Sequence, residues 1–192
     1  NESEIRSAQI QLKEMASRGN RVLAIGVGVY DNKSLPENQE DFTFEFLGLL
    51  ALSDPPKENI PQIIKRFYQS GIDVKMITGD FPETAISIAT SIGLKNSQNC
   101  ITGKQIGEMN EEDFKKAIIG TSVFARVMPE VKLRIITTLK SMGEIVAMTG
   151  DGVNDGPALK AAHIGIAMGK RGSEVARKAA SLVLIDDDLS GM

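Results

Sequence analysis

Residues 145–155 read IVAMTGDGVND, and this stretch indicates the fold of the chain more strongly than any other. Its first four residues are apolar and predict a buried strand, which ends where glycines and polar residues begin. Gly150 and Gly152 allow the backbone to turn sharply and to approach a ligand closely. In open parallel sheets, ligands bind beyond the carboxyl ends of the strands. The stretch therefore predicts an α/β fold with a binding site at this strand end.

Two carboxylates in this turn, those of Asp151 and Asp155, indicate a site for Mg²⁺. With a helix beginning near Asn154, both can point at one centre. Mg²⁺ prefers oxygen ligands, commonly one or two carboxylates plus a phosphate oxygen. An EF-hand fits poorly, because its loop places ligands at alternate positions over about twelve residues. The alternative is an ordinary strand–helix turn in which Asp and Gly serve only capping and turn roles.

Two further polar clusters follow predicted strands. Thr78, Gly79 and Asp80 come after one strand, and residues 126–132 come after another. The hydroxyl of Thr78 and the backbone N–H of Gly79 suit phosphate oxygens. Lys132 lies one turn into a helix, where an ammonium group could neutralise a transferring phosphoryl group. Alone, each cluster also fits an ordinary turn or a solvated lysine.

The wider pattern changes at Asp54-Pro55-Pro56-Lys57, where two prolines stiffen the backbone. Before this seam the chain predicts one helix and two strands, and after it strands alternate with helices. Strands are predicted over residues 22–29, 42–52, 73–77, 123–125, 145–148, 164–167 and 182–185. Helices are predicted over 5–18, 60–67, 83–92, 111–118, 129–142, 157–162 and 174–180, with a loop over 31–41. The alternation implies a mostly parallel sheet with helices on both faces.

Composition limits the class of protein. A length of 192 residues suits one domain or one domain with part of a second, and 42% apolar residues suffice for a core. The net charge of −3 argues against nucleic acid as the main partner. The lone Cys100 cannot form an internal disulfide, which fits a reducing compartment. No apolar run reaches the length of a membrane helix, and the N-terminus resembles neither an initiator methionine nor a signal peptide, which suggests an excised piece.

Four runs, in this order, resemble segments of the P-type cation-transporting ATPases. They are DPPK at residues 54–57, MITGD at 76–80, FARVMPEVK at 124–132 and TGDGVNDGPALKAAHIGIAMG at 149–169. The resemblance implies a Rossmann-like, doubly wound phosphorylation domain of the haloacid-dehalogenase type. Residues 54–192 would be its C-terminal part. Residues 1–53 would be the C-terminal part of the nucleotide-binding domain inserted in it.

The same resemblance implies roles for individual residues, with ATP as the substrate and Mg²⁺ as the cofactor. The residues around the phosphoryl group would be Thr78, Gly79, Asp80 and Lys132. The Mg²⁺ ligands would be Asp151, Asn154 and Asp155. The residues that bind ATP would be Arg21 and Arg126.

The chain also departs from the family. It has no DKTGT run, which carries the nucleophilic aspartate, so we expect this piece to be inactive without the rest of the polypeptide. It has no membrane helices to select the transported cation, although its motifs lean towards the Ca²⁺ pumps. The intact protein would lie in a membrane with this region on the cytoplasmic face. Because the DKTGT strand lies mid-sheet, its neighbours would have unpaired edges, and rearrangement or self-association could fill the gap.

Two alternatives remain open at this point. One is a free-standing phosphatase of the same superfamily, in which Asp186 would begin a DxDxS run over residues 186–190 in a permuted topology. The other is a catalytically silent module that binds a nucleotide or Mg²⁺.

Overall fold

Eight helices and eight strands make up the described part of the chain, residues 2–29, 37–38 and 41–192 of a computed structural model. The helices are α1 (Glu2–Ser17), α2 (Ile60–Gln69), α3 (Pro82–Ser91), α4 (Gly103–Glu108), α5 (Glu111–Gly120), α6 (Pro129–Ser141), α7 (Gly156–Ala161) and α8 (Glu174–Ala179). The strands are β1 (Arg21–Val29), β2 (Thr43–Leu52), β3 (Met76–Ile77), β4 (Cys100–Thr102), β5 (Val123–Ala125), β6 (Ala147–Gly150), β7 (Ile164–Met168) and β8 (Leu182–Leu184). The loop predicted over 31–41 lies largely outside the described residues.

The N-terminal elements form a helix and a hairpin. Helix α1 is followed by Gly19, which adopts a φ of +83° and so turns the chain without steric cost. Strands β1 and β2 then pair antiparallel, with Arg21 opposite Leu52. The hairpin is attached to the rest of the chain at its base, where the Thr84 hydroxyl of α3 donates to the Asn20 carbonyl over 2.9 Å.

The other six strands are all parallel and form two sheets, with strand orders β3-β5-β4 and β6-β7-β8. The predicted α/β class with parallel strands is confirmed. A single continuous sheet is not found in the described residues. The side chain of Ile77 packs against the core of both sheets. Among the described residues, the two sheets are thus in contact through side chains and not through a strand pairing.

Strand β5 shows how helices come to cover both faces of the first sheet. Successive residues of a strand point to opposite faces. Val123 and Ala125 pack with α3 residues such as Ala85 and Ala89. Phe124 points the other way and packs with α4, α5 and α6. The layer of helices on each face, which the alternation predicts, is therefore present here.

Two details differ from the sequence-based expectation. Strand β3 has two residues where five are predicted, because the short partner β5 pairs only with Met76 and Ile77. Strand β4 and helix α4 are not predicted at all. Strand β4 is defined by its parallel pairing with β5. Helix α4 begins at a reciprocal cap in which the Thr102 hydroxyl accepts from the Gln105 N–H, and the Gln105 side chain accepts from the Thr102 N–H.

The segment after β8 closes against a turn that follows β7. The carboxylate of Asp187 accepts hydrogen bonds from the backbone N–H groups of Lys170 and Arg171, each over 2.9 Å. Burial raises the pKa of this carboxyl, but these N–H donors, that of Gly169 and the charge of Lys57 together hold the pKa below its ordinary value of 3.8. The ionised form is therefore the one that the fold binds.

Adjacent isoleucines on α5 allow a direct test of the core. Ile118 is fully buried and Ile119 is 66% exposed. We expect Ile118→Ala to lower the free energy of unfolding by about 2–5 kcal/mol, because it leaves a cavity. Ile119→Ala is the matched control and should change it by less than about 0.5 kcal/mol. Urea unfolding followed by circular dichroism measures both, and equal effects would contradict the packing described.

The Asp187 contact predicts a pH dependence of stability. The folded-state pKa of Asp187 lies below the unfolded value of 3.8. The stabilisation that the ionised carboxylate gives the folded chain is therefore complete above about pH 5 and is lost as the pH falls through and below 4. Asp187→Asn should therefore lower the unfolding temperature at neutral pH and reduce its loss on acidification. Asp186→Asn is the control, because its partner Lys170 lies 3.4 Å away on the surface. If the unfolding temperature of Asp187→Asn fell on acidification as much as that of the wild type, the role of the ionised carboxylate would be refuted.

Candidate functional site

The loops after β3 and β5 are joined by hydrogen bonds. The Thr78 hydroxyl donates to the Asp80 carboxylate over 2.9 Å and accepts from the Asp80 N–H over 3.1 Å. The N–H of Arg126 donates to the Asp80 carbonyl, and the N–H of Val127 donates to the Thr78 carbonyl, both over 3.0 Å. Gly79 is exposed at the tip of the first loop, where it presents its backbone to solvent. The two strand ends thus form one continuous rim, as their position on parallel neighbours predicts.

Arg126 adopts a φ of +53°, which is uncommon for a residue with a side chain. The crossing of the two loops fixes this conformation. It also brings the Arg126 carbonyl against the start of α4, where a Cβ on Gly103 would lie only 2.4 Å from that oxygen. Only glycine fits at position 103 without moving the Arg126 backbone.

The third loop, after β6, is folded around Asp155. A short 3-10 turn at Val153–Asp155 leads into α7. The N–H of Gly152 donates to one Asp155 oxygen over 3.0 Å. A Cβ on Gly150 would lie 2.7 Å from the Cβ of Asp155, so the strand end must be glycine. The sharp turn that the glycines predict is therefore present, and it encloses a carboxylate.

Lys132 and Asp155 form a nearly buried ion pair. The ammonium group of Lys132, on α6, lies 2.6 Å from the second Asp155 oxygen. The side chains are 18% and 8% exposed. Each charge is costly to bury alone, and the pair with its extra backbone N–H offsets that cost. The cation predicted to neutralise a phosphoryl group is thus held at the third loop.

The predicted metal ligands differ in their surroundings. Asp151 and Asn154 are exposed, whereas both oxygens of Asp155 already accept hydrogen bonds. No group of three or more His, Cys, Asp or Glu residues that could hold a metal occurs among residues 2–29, 37–38 and 41–192. The exposed carboxylate and amide oxygens nevertheless suit Mg²⁺, which commonly keeps several waters and binds few protein ligands.

A cleft of about 350 Å³ lies between the hairpin and the joined loops. Its lining includes Arg21, Leu23, Gly79, Asp80, Phe81 and Arg126. The structure thus brings the two predicted ATP-binding arginines to one cavity beside the Thr78–Asp80 loop. Within the described ranges neither guanidinium group has a carboxylate partner. Unpaired guanidinium groups in a cleft are suited to bind phosphate.

Other groups singled out in the sequence lie apart from this cleft. Asp186 is exposed two residues after β8 with Lys170 as its ionic partner, and Asp188 accepts from the N–H of Ser190. Phe81, in contrast, lines the cleft, and sequence reasoning gave it no role. Its position directly after Asp80, at the end of a predicted binding loop, was the feature of the sequence that could have indicated a role.

Comparison with known proteins places the chain in a family. The family described as haloacid dehalogenase-like hydrolase matches residues 4–163. The "Probable cation-transporting ATPase F" of Mycobacterium tuberculosis is 43% identical over 96% of this chain and 21% of its own length. The "Calcium-transporting ATPase 1" of Schizosaccharomyces pombe is 40% identical over 92% of the chain and 20% of that protein.

A human relative shows the same pattern. The "Calcium-transporting ATPase type 2C member 2" of Homo sapiens is 42% identical over 94% of the chain and 18% of that protein. The chain therefore spans about a fifth of the length of these relatives. Within the described ranges, no helix has both the length and the apolar character needed to cross a bilayer.

The buried ion pair predicts strong coupling between its two members. Lys132→Met leaves the Asp155 carboxylate buried without its cation, and we expect a loss of about 2–4 kcal/mol in the free energy of unfolding. Adding Asp155→Asn to that variant should restore part of the loss, because the uncompensated charge is removed. Lys115→Met, on the exposed face of α5, is the control and should change stability by less than about 0.5 kcal/mol. Strictly additive effects of the two substitutions in urea unfolding would show that the pair is not coupled.

Proposed function

The chain belongs to the haloacid dehalogenase-like hydrolases, and we propose that it is part of the catalytic region of a P-type ATPase that transports a cation across a membrane. The observation that carries this proposal is the cleft in which Arg21 and Arg126, both without a carboxylate partner among the described residues, face the Thr78–Asp80 loop. The names of the relatives, several of them calcium-transporting ATPases, support Ca²⁺ as the cation.

The proposed division of the chain follows the seam at residues 54–57. Residues 1–53, with their helix and antiparallel hairpin, would complete a nucleotide-binding domain. Residues 54–192, with the parallel strands, would form the C-terminal part of the phosphorylation domain. The change from antiparallel to parallel pairing at this point supports the division.

In the proposed reaction, the arginines hold the phosphates of ATP in the cleft. Gly79 offers its backbone N–H to the transferring phosphoryl group. The Thr78 hydroxyl, which donates to the Asp80 carboxylate over 2.9 Å, would exchange that hydrogen bond for one to a phosphoryl oxygen when the group arrives. Lys132 offsets the negative charge that develops during transfer. Its pairing with Asp155 holds the ammonium group in a fixed position before a phosphate arrives.

Mg²⁺ would bind at Asp151 and Asn154, with Asp155 behind them, and when bound it would offset further charge on the phosphates. The nucleophilic aspartate of the DKTGT run is absent from the 192 residues. We therefore propose that the acceptor lies elsewhere in the intact polypeptide. This region would face the cytoplasm, and the transported cation would bind in membrane helices that are not among these residues.

A binding measurement on this chain tests the nucleotide site. We expect ATP to bind, and Arg21→Met and Arg126→Met each to weaken binding by about tenfold or more, because a hydrogen bond to a charged phosphate is lost. The matched control is Arg6→Met, an exposed arginine of α1 that does not line the cleft, which should leave the affinity unchanged. Isothermal titration calorimetry measures all four proteins. A wild-type chain that binds no ATP, or arginine variants that bind it equally well, would overturn the nucleotide site.

A labelling measurement tests the location of the acceptor. With radiolabelled ATP, the chain should form no acid-stable acyl phosphate, since it lacks the DKTGT aspartate. Phosphoryl transfer to Asp186 would instead support the free-standing phosphatase. Two results together would establish that alternative. The wild type would hydrolyse a phosphate ester, and the radiolabel found on the wild type would be absent from Asp186→Asn.

A further inference from the structure

The side chain of Arg126 lies on the ring of Phe81. The guanidinium carbon is 4.4 Å from the ring centroid, the geometry of a cation–π contact. Both residues line the cleft that also contains Arg21 and Gly79. The contact therefore belongs to the cavity where phosphates are proposed to bind.

The backbone fixes both partners of this contact. Phe81 has extended backbone angles directly before Pro82, and its carbonyl accepts the Ala85 N–H over 2.9 Å at the start of α3. Arg126 is fixed by its left-handed φ and by the 3.0 Å hydrogen bond from its N–H to the Asp80 carbonyl. Since Asp80 and Phe81 are consecutive, one short segment sets both the backbone and the side-chain position of Arg126.

The charge of the cleft depends on whether the Arg126 guanidinium contacts a carboxylate or an aromatic ring. The Asp80 carboxylate accepts from the Thr78 hydroxyl, and no ion pair between Asp80 and Arg126 occurs among the described residues. A carboxylate on the guanidinium would neutralise it and occupy its N–H donors. An aromatic face attracts the cation but leaves those in-plane donors available.

We propose that Phe81 is a positioning residue, which holds the Arg126 guanidinium in place and leaves its N–H donors directed at the phosphates of ATP. This inference rests on the proposed nucleotide site. It adds that the residue after the Thr78–Asp80 loop must be aromatic for that site to bind its ligand tightly.

The stacking itself can be measured without any ligand. The ring current of Phe81 should shift the side-chain protons of Arg126 upfield in the NMR spectrum of the 192-residue chain. We expect this shift to disappear in Phe81→Leu and to persist in Phe81→Tyr. An Arg126 signal that is the same in the wild type and in Phe81→Leu would overturn the proposed contact.

The effect on binding is measured by titrating ATP into the same proteins. Phe81→Leu should weaken binding by about three- to fivefold, the range expected for an exposed cation–π contact, and Phe81→Tyr should restore it. In an Arg126→Met background, Phe81→Leu should have no further effect, because Phe81 acts only through that guanidinium. The unfolding temperatures of the same variants are measured in parallel. If Phe81 had only a structural role, Phe81→Leu would lower the unfolding temperature equally in the wild-type and Arg126→Met backgrounds.

The outcomes separate this inference from the proposed function. Equal affinity of wild type and Phe81→Leu, with binding measurable, refutes the role of Phe81 alone. A full effect of Phe81→Leu in the Arg126→Met background also refutes it. A wild-type chain that binds no ATP refutes the nucleotide site and this inference with it, even where the ring-current shift is present.

Discussion

The ion pair between Lys132 and Asp155 is the interaction on which the arrangement of the site depends. Lys132 lies in the first turn of α6, which packs on both sheets, and Asp155 lies in the loop after β6 of the second sheet. The 2.6 Å contact between them fixes the start of α6, which follows β5 of the first sheet, against the loop that follows β6 of the second, and the two sheets share no backbone hydrogen bonds among the described residues. Because both charges are largely removed from water, neither is stable there without the other.

Lys75, Arg134 and Lys140 differ from the two arginines of the cleft in the groups that they contact. Lys75 donates to carbonyl oxygens at the end of α5, Arg134 donates to carbonyls of Ile106 and Met109, and Lys140 donates to that of Ala161. These side chains satisfy the last carbonyls of helices and turns, which is a structural role. Arg21 and Arg126 have no such acceptors within the described ranges, and this difference is what favours an anionic ligand for the cleft.

Much of the fold could be predicted because its signals are local. The period of apolar residues located α1, α2, α6 and the hairpin to within a few residues. Strand β4 and helix α4 were not predicted because, with three and six residues, they are too short to show a periodic pattern, although Thr102 and Gln105 have the spacing of a capping box. The extent of β3 also could not be predicted, since strand length depends on how many residues of β5 are available to pair.

The sequence by itself determined which residues are candidates for the site: the glycines, carboxylates and cations at three strand ends are defined by residue type and spacing. It also determined the family, which residues 4–163 match. Only the tertiary structure decided which of these groups meet. It paired Lys132 with Asp155, left Asp151 exposed, and placed Arg126 on Phe81. The physical reason is that such contacts join elements far apart in the chain, whose packing and loop crossings set distances that no local pattern contains.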